Sequence, residues 1–331
     1  MRKLTPFSSL TVRGQARRLR NLAVVALQQY DLKVKRMNLL AHAVNTLFRL
    51  DIEGGDTLVL RINLPNARSQ AEICAEMNWL SALAGVEGLY APLPHAARDG
   101  ELVVTAGAQG VPEDRHCVIF SWLPGQLLFH RATNKNLEKL GECMARLHTH
   151  AESFDFPGSF ALKTGETVFG VSGEQILFGE DVSIQVNKDQ QRLFEAGAHK
   201  VQSFLSQLYA QEKHLIPVHG DLHQGNVKVY RNRMYIFDFD DSFLGHPVQD
   251  IAISYYYMKY SPQAEQFREA FRTGYTHLRT WPDFTDDQIR LLSAGRAMDV
   301  LNHVLQSDNP KLMEIAPRYI EFTTAFLQVV L

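Results

Sequence analysis

The chain has 331 residues, 45% hydrophobic and 21% charged, enough to bury a large core and to form about two domains. Its 34 Lys+Arg against 36 Asp+Glu give a net charge of −2, which argues against a nucleic-acid partner, and no apolar run approaches the ~18 residues of a membrane span. Cys74, Cys117 and Cys143 are odd in number, widely spaced and unlike a metal-ligand pattern, so a reducing compartment is expected. The apolar run Leu22–Leu27 is too short and too late for a secretory signal, which leaves the cytoplasm as the default location.

In chain order, Leu19, Leu22, Ala23, Ala26 and Leu27 recur at helical spacing and predict a helix over about 15–30. The basic run Arg13, Arg17, Arg18 and Arg20 reads as its solvated face. Val34–Leu40, Thr46–Ile52 and Thr57–Ile62 read as strands, the last two joined by Glu53-Gly-Gly-Asp56, a hairpin signal. A helix follows over about 69–84, with Ile73, Met77, Leu80 and Leu83 as its inward stripe. Glu101–Thr105 and His116–Phe120 complete a five-stranded antiparallel sheet that stops at Ser121-Trp-Leu-Pro-Gly125, where Pro124 lacks an N–H donor and Gly125 permits unusual dihedrals. Helices are expected over about 136–150 and 193–208, separated by a segment over 151–190 with no clear period. Gly245-His-Pro247 opens another helix, with proline suited to its first position and Asp250 in its first turn. Tyr255-Tyr-Tyr257 reads as core and rim packing, and Thr285-Asp-Asp-Gln288 is a capping box for a helix over about 286–306.

Between these helices lies the stretch with the most chemistry, His219-Gly-Asp-Leu-His-Gln-Gly-Asn226 followed by Phe237-Asp238-Phe239-Asp240-Asp241. Val227–Tyr230 and Met234–Phe237 predict a hairpin through a loop of Arg231, Asn232 and Arg233. If Tyr230 faces Met234, Asn226 falls opposite Asp238, bringing an amide oxygen and a carboxylate together. Such hard oxygen donors suit Mg²⁺, particularly beside phosphates. Asp221, in the loop feeding the hairpin, is placed to orient a hydroxyl. The spacing Asp-x-x-x-x-Asn followed by a strand-borne Asp is that of phosphoryl-transfer loops.

Written as His-Gly-Asp-x-x-x-x-Asn, this loop resembles that of the aminoglycoside phosphotransferase and choline kinase family, a branch of the protein-kinase-like superfamily. The resemblance implies an α+β, bilobal fold. Its N-lobe, residues 1–120, carries the five-stranded sheet with helices and binds nucleotide; a hinge spans 121–125; a mostly helical C-lobe, 126–331, holds the catalytic hairpin and the acceptor site. It implies ATP and Mg²⁺ as cofactors and transfer of the γ-phosphate to a hydroxyl of a small molecule, or of a protein Ser/Thr. Asp221 would be the catalytic base, and Asn226 and Asp238 the metal ligands. His223, two residues after Asp221, would donate a hydrogen bond to the transferred phosphate. Arg61 stands where the family places a phosphate-gripping lysine, and its fork also binds phosphate; Glu76 would orient it, with Glu72 a rival one turn earlier. Asn45 lies in the expected phosphate-covering loop 41–45, which is not glycine-rich, and is equally readable as a turn residue. The Ser121 carbonyl and Leu123 amide would meet adenine, with Ile119 and Phe120 lining its slot. Asp250 would buttress the catalytic loop. A run like Val248-Gln-Asp250 also occurs in a bacterial stress-response Ser/Thr kinase of this family.

Alternatives stand beside this. His219-x-Asp221-x-His223 superficially resembles the ligand cluster of a metal hydrolase, but no further ligands stand out elsewhere. Arg61 and the non-glycine loop motivate a nucleotide-binding pseudokinase scaffold, against which Asp221, Asn226 and Asp238 are all present. Arg296, Asp299 and His303 form a polar stripe, read either as a substrate-recognition face or, preferably, as a salt bridge beside a surface histidine.

Overall fold

The computed structural model describes residues 5–158, 162–170, 176–177, 186–211, 214–259, 261–307 and 310–331. Much of the segment 151–190, expected to lack periodic structure, lies outside the described residues. The chain forms two compact units, the first from Met1–Gly125, Asp155–Leu162 and Tyr235–Asp240, the second from Gln126–Phe154, Lys163–Met234 and Asp241–Leu331.

The first unit is built on an antiparallel sheet of β1 (Val34–His42), β2 (Thr46–Ile52), β3 (Thr57–Ile62), β4 (Val104–Ala106) and β5 (Arg115–Ser121), in the order β1-β2-β3-β5-β4. Side chains alternate across a strand. Leu60 and Ile62 of β3, with Cys117 and Ile119 of β5, therefore enter one core, with Leu19, Leu22, Ala23 and Ala26 of helix α1 (Val12–Leu27). Arg61 and Phe120 are left on the other face, the guanidinium 5.2 Å from the ring centre. Ile119 and Phe120 thus point to opposite sides of the sheet, so the expectation that both line one slot does not hold. Helix α2 (Gln70–Leu83) begins at a reciprocal cap between Ser69 and Glu72 and buries Ile73, Met77, Trp79, Leu80 and Leu83. β4 lies three residues beyond the predicted start at Glu101, because Asp99-Gly100 turns back first: Ala97 N–H bonds Glu101 O and Gly100 N–H bonds Ala97 O.

The second unit is mostly helical: α3 (Asn134–Ala151), α4 (Lys188–Gln211), α5 (Pro247–Met258), α6 (Ala264–Thr276), α7 (Asp286–Gln306) and α8 (Pro310–Val330). α3 and α6 pack at backbone contact, since a Cβ on Gly141 would lie 2.0 Å from Phe271 O and one on Gly274 1.8 Å from Glu138 O. Among its short strands, β6 (Gln126–Leu127) pairs with β8 (Val227–Tyr230), and β7 (Ile216–Val218) pairs with β10 (Phe243–Gly245); after β8 the chain turns into β9 (Arg233–Ile236), whose last two residues belong to the first unit. Among the described residues no helix is long and apolar enough to cross a membrane.

The hairpin differs from expectation. Its loop has two residues, Arg231 (φ 45°) and Asn232 (φ 67°), both left-handed as the tight turn matching strand twist requires. β9 therefore starts at Arg233 and ends at Ile236, so Asp238 lies beyond the ladder and the register argument placing it opposite Asn226 does not hold.

Candidate active site

In the first unit, alternation sends Arg61 toward α2, where Glu76 waits on its second turn. The pair is bidentate, Nη1 to Oε1 at 2.8 Å and Nη2 to Oε2 at 2.7 Å, and Arg61 and Glu76 are only 4% and 1% exposed. Arg68, which the sequence did not single out, adds a third bond to Glu76 Oε2 at 2.5 Å. Glu72 turns its carboxylate back to Ser69 as a cap, which settles that the partner of Arg61 is Glu76. Burial alone would push the Arg61 guanidinium down, but the Glu76 carboxylate, with Asp240 and Asp238 behind it, holds it above its ordinary value. Burial would raise Glu76, and Arg61 and Arg68 outweigh it and hold it low. Both partners are charged.

The Asp238-Phe-Asp240 segment is anchored in the same unit. Tyr235 bridges Tyr90, Ile236 N–H bonds Tyr90 O at 2.9 Å, and Phe239 sits edge-on to the buried Trp79 ring, 5.4 Å between centres. Asp238 itself takes φ 72°, left-handed for a residue with a Cβ. Aspartate tolerates this better than most residues, and such outliers gather at functional sites. Asn45 uses both ends of its amide, Nδ2 donating to Asp240 Oδ2 at 2.6 Å and Oδ1 accepting from Leu64 N–H at 3.0 Å. At the end of β5, Ser121 is fixed from two sides by Leu93, whose carbonyl accepts its N–H at 2.9 Å and whose N–H donates to its Oγ, also at 2.9 Å. Leu123 is buried just before Pro124.

In the second unit, the loop from His219 to Asn226 runs between β7 and β8. Gly220 has φ 78°, and a Cβ there would lie 2.1 Å from Asp241 O, so only glycine fits. The bend is braced by Asp250 in the first turn of α5, whose oxygens accept the N–H groups of His219 and Gly220, both at 2.8 Å. His148 Nε2 completes that carboxylate's shell at 3.2 Å, and its Nδ1 lies 3.0 Å from Tyr275 Oη. Burial would raise Asp250, but the bond and charge of His148 and the His219 contacts hold it below the usual range. His148, in the last turn of α3, is thus a fully buried part of the brace.

The brace presents Asp221, His223 and Asn226 together. Asp221 Oδ2 accepts from Asn226 Nδ2 at 2.8 Å and faces His223 Nε2 at 3.3 Å. Asn226 Nδ2 also reaches Asp221 O at 3.0 Å, so the amide nitrogen serves the loop and the amide oxygen faces elsewhere. His223 Nδ1 accepts Gly225 N–H at 2.9 Å, which places the ring proton on Nε2, toward Asp221. The ring stacks on Tyr257, 3.9 Å between centres and 23° from parallel. Tyr257 is therefore part of this cluster and not only rim packing.

Arg296 of α7 also belongs to the cluster. Nη2 donates to Asp221 Oδ1 at 2.5 Å and to Tyr257 Oη at 3.2 Å, Nη1 donates to Asp299 Oδ2 at 3.1 Å, and Asp241 lies 3.9 Å away. The preferred sequence reading, a salt bridge, finds the pair with Asp299 but misses that Arg296 is 9% exposed and reaches Asp221. Its i, i+3 partner hid the long-range one, since no pattern within α7 points to position 221. Burial would raise the Asp221 carboxyl, but Arg296 first and then His223 hold it down at about 2.

The phosphotransferase enzyme family matches residues 38–290, most of the chain and every residue of both clusters except Arg296 and Asp299 of α7. The chain belongs to that family. Among characterised relatives, the amicoumacin kinase of Bacillus subtilis is 24% identical over 268 residues, 76% of this chain and 74% of that protein. An uncharacterised protein of Deinococcus radiodurans is 29% identical over 233 residues, 70% of this chain but 65% of its own length. The fold is also that of a microcompartment-associated aminopropanol kinase (TM-score 0.79, 22% identity, 93% of this chain and 96% of that one). It is shared by an amicoumacin kinase solved with AMP-PNP, Ca²⁺ and Ami (TM-score 0.75, 19% identity, 94% and 96%). The protein-kinase-like α+β fold inferred from the loop is therefore present.

Proposed function

We propose that this chain is an ATP- and Mg²⁺-dependent phosphotransferase acting on a hydroxyl of a small molecule. The observation that carries the reading is the braced loop, in which Asp250 fixes the bend and Asp221 and Asn226 are presented as a hydrogen-bonded pair. Phosphoryl transfer asks a protein mainly for positioning and charge neutralisation. Asp221, with a pKa of about 2, is a weak proton acceptor. Its role is to accept a hydrogen bond from the acceptor hydroxyl and aim it, taking the proton as the bond to phosphorus forms.

The donor set fits magnesium, because Asn226 offers an amide oxygen and Asp238 a carboxylate, both hard ligands. When bound, Mg²⁺ neutralises the nucleotide phosphates and orients the group transferred. Arg61, held by Glu76, supplies a fixed cation for phosphate. Asn45 holds Asp240 in place. The Ser121 carbonyl and the Leu123 amide are the backbone groups assigned to adenine. His223 directs its Nε2 proton to Asp221 and stacks on Tyr257, so it steadies the carboxylate.

Asp221, Asp241 and Asp299 against one Arg296 leave this cluster with an excess of negative charge. That favours an acceptor carrying an ammonium group, in keeping with the aminopropanol and amicoumacin kinases that share the fold. The test is ADP release from Mg-ATP across amino alcohols, aminoglycosides and uncharged alcohols, with Asp221→Asn as control. Turnover on an amine-bearing alcohol that the control abolishes is expected. A protein that binds no Mg-ATP overturns the reading.

A further inference from the structure

We propose that Arg296 is the positioning residue of this active site, fixing the orientation of the Asp221 carboxylate from the rigid core of the second unit; this rests on the phosphotransferase reading above. A loop carboxylate has one soft torsion that its own backbone does not determine. The bonds from Asp250 hold the bend at His219 and Gly220, but they end one residue short of Asp221. Asn226 and His223 belong to the same loop and move with it. Arg296 and Tyr257 are the contacts to Asp221 that come from helices.

Arg296 is itself immobilised. It sits in the middle of α7, whose Ser293 Oγ donates to Ala252 O of α5 at 2.8 Å. Further along the helix, Asn302 Oδ1 accepts the N–H groups of Ile176 and Leu177 at 2.9 and 3.0 Å. Across the helix, a Cβ on Gly295 would lie 2.9 Å from Val201 Cγ1 of α4, so α7 is packed closely on that side. The guanidinium then spends Nη1 on Asp299 and Nη2 on both Asp221 and Tyr257. A planar fork bonded at two nitrogens has no freedom to rotate, which is what a point-charge lysine cannot reproduce. Tyr257 extends the clamp, since its ring supports His223, the other side chain facing Asp221.

The two oxygens of Asp221 are thereby made inequivalent. Oδ2 is bonded within its own loop and Oδ1 is pinned to α7. The plane of the carboxylate, and with it the direction in which a lone pair meets an incoming hydroxyl, follows from the position of Arg296. Misplacement by about 1 Å lowers such a reaction roughly 100-fold.

The experiment compares wild type, Arg296→Lys, Arg296→Met and Arg296→Ala by steady-state ADP release, Mg-ATP calorimetry and crystal structures of each variant. The expected result is a kcat about 100-fold lower in Arg296→Met and about 10-fold lower in Arg296→Lys, with KM for Mg-ATP within about twofold of wild type. Added guanidinium is expected to restore part of the kcat of Arg296→Ala, and methylammonium to restore none. An Asp221 carboxylate that keeps its orientation in the Arg296→Met crystal structure overturns the proposal, as does an unchanged kcat in that variant. Arg296→Lys, which keeps the charge beside Asp299 and Asp221, provides a folded variant if the methionine substitution does not fold. Absence of Mg-ATP binding by wild type instead overturns the phosphotransferase reading, so the two failures are distinguishable.

Discussion

Glu76→Gln removes the charge that Arg61 and Arg68 share while leaving the shape of the side chain almost unchanged. Breaking a buried pair by neutralising one partner costs about 3–5 kcal/mol, because the other charge stays buried without its counter-ion. Two features of the structure move this value in opposite directions. Arg68 leaves two guanidinium groups converging on one neutral amide, at 2.7 and 2.5 Å in the wild type, which adds repulsion. Asp240 and Asp238 remain near Arg61 and recover part of the lost attraction. The net expectation is a loss of about 3 kcal/mol, a large share of the ~5–15 kcal/mol that holds a typical domain together. Urea denaturation at neutral pH measures it as a fall in midpoint at unchanged slope.

Removing all three charges sharpens the test. Arg61→Met and Arg68→Met with Glu76→Leu replace the shared cluster by apolar side chains of similar volume, and such replacements are often neutral or better. The triple variant is therefore expected within about 1 kcal/mol of wild type, although it loses the cation proposed to hold phosphate and, on that proposal, most Mg-ATP affinity. The energetic reasoning fails if Glu76→Gln shifts stability by less than about 1 kcal/mol, or if the triple variant is the worse of the two.

Other substitutions address the second unit. Asp250 has its folded pKa below the unfolded value, so its contribution is present above about pH 4 and is lost as pH falls below it. Asp250→Asn, which weakens two charged bonds to backbone amides, should destabilise by about 3 kcal/mol at neutral pH and flatten the acid limb of a stability-pH curve; an equally steep limb in the variant would contradict this. Gly220→Ala adds a Cβ 2.1 Å from Asp241 O in a left-handed conformation, for a loss of about 2 kcal/mol or more and a larger relative loss of turnover, checked by melting and ADP release. Gly274→Ala, far in sequence from the Asp221 loop, would push α6 from α3 against Glu138 O and should lower the melting temperature without changing the KM for Mg-ATP.

What the sequence makes legible follows the range of the interactions. β2 and β3 begin and end where alternation and the Gly54-Gly55 turn predict, and α7 starts at the Thr285–Gln288 box, because each signal lies within a few residues. α6 carries Phe267, Phe271 and Tyr275 at every fourth residue, but Gly274 interrupts the pattern for a packing reason that lies on α3. α8 contains Pro317, which reads locally as a helix breaker. The hairpin loop was predicted one residue too long because arginine is an unusual residue for φ above zero, and the register argument failed with it. In the site, Asp221, His223 and Asn226 come together as their spacing in one loop suggests, whereas the contact of Arg296 with Asp221 spans 75 positions and could not be read from either neighbourhood. His148, 102 positions from Asp250, was hidden in the same way.

The failure of the register argument leaves open what keeps aspartate at 238, and the backbone there provides the way to decide. At φ 72°, a residue with an ordinary Cβ pays about 1–2 kcal/mol that glycine does not, while glycine loses about 0.5–1 kcal/mol more backbone entropy on folding. The two nearly cancel. Asp238→Gly is therefore expected within about 1 kcal/mol of wild-type stability, and Asp238→Ala about 1–2 kcal/mol below the glycine variant. If the carboxylate is there for magnesium, both variants lose Mg-nucleotide binding to the same extent despite their different stabilities. If it is there to balance the buried charge of Arg61, whose guanidinium it helps to hold in the charged form, the glycine variant is destabilised by several times the expected amount. Calorimetry with Mg-ATP and urea denaturation on the same two proteins separate these cases. A glycine variant that keeps its stability and its nucleotide affinity would refute both, leaving Asp238 as a turn residue chosen only for its tolerance of the left-handed region.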